Sequence, residues 1–164
     1  MSVITQSLQA HSMPHYASIA LWKDFLKANR WQDLIKGVQP IMGGCGLVYD
    51  LPELHKIGES FAIVDMSNIA YSEPHYHSAH VTEIYIVLEG YGVMVIGNQE
   101  YSFKQEDVFV TSPLTTHYVI PNKSCVLAVI NTPEFAVQDY HVITETNATV
   151  KFDKNQFNRL IKSK

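Results

Sequence analysis

The most informative part of the chain runs from residue 75 to residue 90 and reads His75-Tyr-His-Ser-Ala-His-Val-Thr-Glu-Ile-Tyr-Ile-Val-Leu-Glu-Gly90. His75 and His77 are two positions apart, so on an extended strand both imidazoles leave the same face. Glu83 then opens a second run of strong β-forming residues. A hairpin between the two runs would bring two imidazoles and a carboxylate together, and these groups are frequent metal ligands. A third imidazole is available downstream at His117.

Alternation along the second run separates its two faces. Glu83, Tyr85 and Val87 fall on one face, and the intervening Ile and Leu side chains fall on the other. Tyr85 therefore shares the face of the carboxylate, where its hydroxyl either contacts a bound substrate or packs inside the protein. We take Glu83 and Tyr85 as the candidate catalytic residues.

The composition of the 164 residues is typical of one globular domain that can bury a hydrophobic core without staples. Apolar residues make up 46% of the chain and charged residues 17%, which is an ordinary globular profile. The formal net charge of -4 gives no support for nucleic-acid binding. The two cysteines, Cys45 and Cys125, are too few for a disulfide framework, and we expect buried free thiols.

Signals for export or membrane insertion are missing from the sequence pattern. No window reaches the roughly 18 apolar residues that a transmembrane helix requires. The first residues also lack a basic region followed by an apolar stretch, which a secretion signal would show. We therefore expect a cytoplasmic protein without a membrane partner.

Three segments are predicted within one structural domain: an N-terminal arm with capping helices at 1–40, a barrel at 41–145, and a C-terminal strand and helix at 146–164. Apolar residues recur with helical spacing between 18 and 36. We interpret these helices as caps on an open end of the β-structure, in preference to a lid or a partner-binding helix. In the last segment, Asp153 or Asn155 could serve as the N-cap of a helix.

Between residues 43 and 145, short β-rich runs recur with no helical segment between them. The runs are 46–49, 61–66, 84–88, 92–96, 108–111, 117–120, 126–130 and 140–143. Turn signals separate them, including Pro121-Asn122 and a Gly97-Asn98 pair that predicts a tight hairpin. Strands at this spacing favour an antiparallel sandwich or barrel.

A second informative stretch is Asp107-Val-Phe-Val-Thr-Ser-Pro-Leu-Thr-Thr-His117, in which a strand enters a proline turn and a histidine opens the next strand. Together the two stretches resemble the two motifs of the cupin superfamily over residues 43–145. The matching residues are His75, His77, Glu83, Gly90, Pro113, His117 and Asn122. The resemblance implies an all-β, double-stranded β-helix (jelly-roll) barrel with short flanking helices at the N- and C-termini.

The resemblance also implies a metal site made of His75, His77, Glu83 and His117. Three imidazoles and a carboxylate suit a divalent first-row transition metal such as Fe, Mn, Ni, Cu or Zn. Five residues separate His77 from Glu83, where the family usually has three or four. His80 lies in this longer loop, where it could replace a ligand, support one through a hydrogen bond, or face water; we expect it to face water.

Cupins with this ligand set include dioxygenases, isomerases, decarboxylases and lyases, so the fold does not choose the reaction. We favour an enzyme acting on a small molecule, with a dioxygenase-like metal-dependent oxidoreductase first. One alternative is a sugar or sugar-phosphate isomerase, because the run 112–117 resembles the matching stretch of mannose-phosphate isomerase-type cupins. Another is a binding module that holds a small molecule without changing it. The resemblance further implies a homodimer paired through N-terminal strands, and the apolar run 41–48 is a candidate edge for that pairing.

Overall fold

The structure is a computed structural model. It describes residues 59–144 and 150–163, together with the backbone of three short strands at 3–5, 39–40 and 47–50. The predicted helices between 18 and 36, and residues 41–46 of the predicted pairing edge, lie outside the described residues. The predicted segment boundaries after residues 40 and 145 remain predictions.

The described strands join in one strongly curled sheet. They are β1 (Val3–Thr5), β2 (Gln39–Pro40), β3 (Leu47–Asp50), β4 (Ser60–Asp65), β5 (His75–His77), β6 (Thr82–Ile96), β7 (Gln99–Lys104), β8 (Val108–Thr111), β9 (His117–Thr132) and β10 (Tyr140–Val142). The pairings are antiparallel except for β1 with β8. This curled antiparallel sheet confirms the predicted all-β barrel.

Strands β6 and β9 form the spine of the barrel. They pair from Thr82 opposite Thr132 to Ile96 opposite His117. The first half of β6 also pairs with β8 and its second half with β7, while β9 pairs with β4 and β5. Each long strand therefore contributes to both halves of the barrel.

The continuity of these two strands corrects a prediction, because the runs 84–88 and 92–96 are one strand, as are 117–120 and 126–130. The predicted turn at Pro121-Asn122 is instead an irregularity within β9, where residues 122–124 lie opposite Tyr91 alone. Such a bulge accommodates a proline, which cannot donate to the ladder. Gly92 faces it, and a Cβ at that position would lie 2.3 Å from the Ile120 carbonyl oxygen.

The two faces of β6 bury different apolar clusters, as its alternation predicts. Ile84 and Ile86 pack with Phe61, Val108 and their neighbours in one cluster. Tyr85 and Val87 pack in a second cluster, whose other members include Met94, Phe109, Leu127 and Val129. Burial of this apolar surface is the main source of stability in such a barrel.

Helix α1 (Lys154–Lys162) covers a third cluster, formed by Val95, Tyr118, Ile120 and Leu160. Its N-cap is Asp153, as predicted, and the Asp153 side chain accepts a hydrogen bond from the backbone N–H of Gln156 at 2.9 Å. The tight hairpin at Gly97-Asn98 is likewise present between β6 and β7, with Gly97 at φ 61°. No helix in the described part of the chain is long and apolar enough to cross a membrane.

Candidate metal centre

Four predicted site residues meet inside the barrel, on strands that β9 joins through its pairings with β5 and with β6. His75 and His77 lie on β5 with one residue between them, and His75 is directly opposite His117 at the start of β9. Glu83 lies near the start of β6, which pairs with the other end of β9. All four side chains are buried, with exposed fractions between 0% for His117 and 5% for Glu83.

The three imidazoles converge on one carboxylate oxygen. Oε2 of Glu83 lies 2.8 Å from Nε2 of His117, 3.0 Å from Nε2 of His77 and 3.8 Å from Nε2 of His75. One ligand atom from each of the four residues lies within 4.8 Å of the others. This cluster could hold a metal ion.

The outward-facing nitrogens of two imidazoles are tied to the backbone. Nδ1 of His75 lies 2.7 Å from the Glu73 carbonyl oxygen, and Nδ1 of His117 lies 2.8 Å from the Thr115 carbonyl oxygen. A carbonyl only accepts, so each Nδ1 carries the hydrogen and donates it. Metal-binding histidines are held in this way in many proteins, which leaves Nε2 free as the ligand atom.

Without a cation, this arrangement leaves acceptor atoms facing one another. Burial and the nearby His75 lower the pKa of His117 to about 4, so its Nε2 presents a lone pair to the Glu83 oxygen. His77 is buried at 2% exposure, and its Nε2 lies 3.0 Å from the same oxygen without hydrogen-bond geometry among the described residues. Unsatisfied buried polar atoms are costly. A metal ion among the Nε2 atoms and Oε2 would satisfy them, so the residues present fit a metal.

The electrostatics of the cluster keep the carboxylate charged. Burial alone would raise the pKa of Glu83, but the charge of His77 and the close imidazoles hold it well below its ordinary value. Burial likewise acts to lower the pKa of His77, and the Glu83 carboxylate outweighs it and raises that pKa. Burial and the same carboxylate raise the pKa of Tyr85 well above its ordinary value, so its hydroxyl stays protonated.

Two further side chains bind the carboxylate of Glu83. The Tyr85 hydroxyl donates to Oε2 at 2.6 Å, which agrees with the predicted shared face. The Asn131 amide donates to Oε1 at 3.3 Å. Asn131 was not predicted as a site residue, and the signal that could have found it is its position opposite Glu83 on β9. Asn122, which the resemblance suggested, is exposed on the same strand.

Tyr140 is a second residue that the sequence analysis missed. Its ring stacks on that of His75 with centroids 4.5 Å apart, and it lies 5.7 Å from the ring of His77. Strand β10 is predicted, but its pairing with β5, which places Tyr140 opposite His77, is not evident from the sequence. Phe135, with a centroid 6.3 Å from that of Tyr140, extends this aromatic group toward the surface.

His80 lies outside the cluster. Its side chain is 60% exposed, and its Nε2 lies 3.4 Å from the Asp139 carboxylate. The expectation that His80 faces water therefore agrees with its position in the longer loop. His75, His77, Glu83 and His117 are brought together without it.

Residues 63–131 match the family model described as a cupin domain. Among solved structures, a PAC13 variant from Streptomyces with uridine is similar at a TM-score of 0.57 and 13% identity, covering 67% of this chain and 88% of that one. KdgF from Halomonas sp. is similar at a TM-score of 0.55 and 12% identity, and the match covers 63% of this chain and 91% of that one. An RmlC-like cupin from Shewanella frigidimarina is similar at a TM-score of 0.51 and 17% identity, and the match covers 59% of this chain and 83% of that one.

At these identities the structural likeness shows the fold alone. No curated protein sequence matches the chain significantly. The domain match nevertheless spans the strands that carry His75, His77, Glu83 and His117. Residues 63–131 therefore match a cupin domain in sequence, and the fold of the described residues agrees with that match.

Proposed function

We propose that the chain binds one divalent transition-metal ion through His75, His77, Glu83 and His117, and that it is an enzyme acting on a small molecule. The observation that carries the proposal is the convergence of three Nε2 atoms on one buried carboxylate oxygen, at 2.8, 3.0 and 3.8 Å. Three imidazoles with one carboxylate suit Fe, Mn, Ni, Cu or Zn.

A bound ion supplies Lewis acidity and, if it is redox-active, electron transfer. The surrounding residues would bind and orient the substrate. Tyr85 keeps its proton and donates it to Oε2 of Glu83 at 2.6 Å, so its oxygen can accept a hydrogen bond from a substrate hydroxyl. Tyr140 and Phe135 offer aromatic surface next to His75. These residues favour a substrate that carries both oxygen atoms and apolar surface.

A dioxygenase-like, metal-dependent oxidoreductase is our first choice of reaction, because a nitrogen-rich ligand set with one carboxylate suits a redox-active ion. A non-redox enzyme of the isomerase type is the second choice, and the neutral hydroxyl of Tyr85 beside the metal site favours it. Pac13, one of the proteins of similar fold, is described as a nucleoside dehydratase. A non-catalytic binding module is the third choice.

Elemental analysis of protein purified without added metal separates these choices. Stoichiometric iron, followed by oxygen uptake on addition of candidate substrates, would support the dioxygenase. Stoichiometric zinc would support the isomerase. A protein that contains no metal, and takes up none of the five candidate ions, would contradict the metal-dependent proposal and favour a binding module.

The proposal includes a homodimer in the cytoplasm, with a small molecule and neither nucleic acid nor membrane as partner. The dimer rests on the exposed backbone that an edge strand presents for pairing. In the described part of the sheet, β2 is such an edge, since it pairs only with β3. Light scattering at low micromolar concentration should therefore give about twice the mass of one chain.

A further inference from the structure

Glu83 has one neighbour on each adjacent strand, and the two neighbours bind different parts of it. Asn131 on β9 and Thr111 on β8 both lie directly opposite Glu83, and both are buried. The Asn131 amide donates to the side-chain oxygen Oε1 at 3.3 Å. The Thr111 hydroxyl donates to the main-chain oxygen of Glu83 at 3.2 Å. Of these two neighbours, Asn131 therefore binds the carboxylate and Thr111 does not.

The two oxygens of the carboxylate consequently have different surroundings. Oε2 faces the three Nε2 atoms and accepts the Tyr85 hydroxyl at 2.6 Å. Oε1 accepts from Asn131. An ionised carboxylate only accepts, so the amide must present its NH₂ group to Oε1. This contact restricts rotation of the carboxylate about its last bond.

We propose that Asn131 is a positioning residue that, together with Tyr85, fixes Glu83 as a metal ligand through Oε2 alone. This inference rests on the proposed metal site. A carboxylate that is free to rotate can offer both oxygens to an ion, whereas one held at Oε1 offers a single oxygen in a set direction. Hydrogen bonds that orient a ligand in this way raise metal affinity, and their loss typically weakens it about 10–100-fold.

A purely structural role for Asn131 would give a different experimental result. If the amide only satisfied a buried oxygen, its removal would lower the stability of the folded protein without changing how a bound ion is coordinated. The visible absorption of Co²⁺ separates the two roles, because it depends on the number and geometry of the ligands around the ion. Stability of the metal-free protein is measured alongside, by thermal unfolding.

The test compares Co²⁺ titrations of the wild-type protein with those of Asn131→Leu, Tyr85→Phe and Thr111→Val. Asn131→Leu keeps the side-chain size but removes the amide, and Tyr85→Phe removes only the hydroxyl. Each should weaken Co²⁺ binding about 10–100-fold and change the shape of the absorption bands. Thr111→Val is the matched control, since it removes a buried hydrogen bond to the same residue and spares the carboxylate; it should keep the wild-type spectrum.

Wild-type affinity and an unchanged Co²⁺ spectrum in Asn131→Leu would overturn the inference while leaving the metal site intact. If Asn131→Leu does not fold, Asn131→Ala, which adds no bulk, carries the same expectation. An altered spectrum in Thr111→Val equal to that in Asn131→Leu would also overturn it, because any disturbance of β6 would then suffice. A wild-type protein that binds neither Co²⁺ nor any of the five candidate ions would overturn the proposed function and this inference with it.

Discussion

His117 and Tyr118 are consecutive residues of β9, and they bury polar groups in opposite ways. His117 points into the site, where its Nδ1 meets the Thr115 carbonyl oxygen at 2.8 Å and its Nε2 meets Glu83 at 2.8 Å. Tyr118 points to the other face of the strand, beneath α1, where its ring contacts that of Phe157. It is 1% exposed, and its hydroxyl has no hydrogen-bond partner in the described part of the chain.

The two residues show how a ligand-binding site differs from a single buried polar group that only lowers the stability of the fold. On the site side, several unsatisfied or acceptor atoms converge on one point, so a single ion can satisfy them together. On the helix side there is one buried hydroxyl alone, and its burial together with the nearby carboxylates of Glu100 and Asp153 raises the pKa of Tyr118 to about 12. Convergence of the buried polar atoms, and not burial alone, indicates a site.

The largest effect is expected on the site side. Replacing His75, His77 and His117 together by Ala should abolish stoichiometric metal binding, because it removes three of the four proposed ligands. The protein should still fold as a β-rich domain, since its core consists of the apolar clusters. Metal analysis and far-UV circular dichroism measure the two outcomes. A folded triple variant that keeps one tightly bound ion would refute the ligand assignment.

Glu83→Gln tests how much the carboxylate contributes to metal affinity. It removes the charge of the proposed ligand and should weaken metal binding by more than the roughly 100-fold that loss of a supporting contact can cost. His80→Ala is the matched control from the same loop region, and its exposed side chain should contribute nothing to affinity. Titration calorimetry ranks the two variants. The reverse ranking would mean that the longer loop has exchanged the ligand.

Gly92→Ala tests the packing of the second apolar cluster, to which Phe103 belongs. The added Cβ would lie 2.3 Å from the Ile120 carbonyl oxygen and 2.9 Å from the Phe103 ring. Such overpacking should lower the free energy of unfolding by about 1–3 kcal/mol. Metal affinity of the folded protein should remain at the wild-type value, because the atoms nearest the added Cβ belong to Ile120, Phe103 and Pro121 and to none of the proposed ligands. Loss of affinity without loss of stability would show that packing at Gly92 is coupled to the metal site.

The smallest effect is expected for Tyr118→Phe. Removing a buried hydroxyl that has no partner should raise the free energy of unfolding by up to about 1 kcal/mol, as measured by urea denaturation. His117→Phe, at the adjacent position, should instead destroy metal binding. A clear loss of stability in Tyr118→Phe would show that the hydroxyl does have a partner, and the contrast between the two residues would then disappear.

The local features of the fold could be predicted from the sequence. The spacing of His75 and His77 fixed their common face, the alternation after Glu83 separated the two core clusters, and Gly97 marked the hairpin. Each of these follows from neighbours a few residues apart. The capping role of Asp153 is local in the same sense.

Contacts between distant segments could not be predicted from the sequence in this way. Asn131 reaches Glu83 through the register of β6 against β9, and Tyr140 reaches His75 through the pairing of β10 with β5. Neither register leaves a signal in the residues themselves. Pro121 shows the opposite case, because its local turn signal is overridden by a long strand that accommodates the proline at a bulge.

Anomalous diffraction from crystals of the protein loaded with one candidate ion tests the central claim most directly. We predict a single strong peak at the absorption edge of that metal, within bonding distance of Nε2 of His75, His77 and His117 and of Oε2 of Glu83. No peak, or a peak that lies away from these four atoms, would contradict the assignment of this cluster as the metal centre.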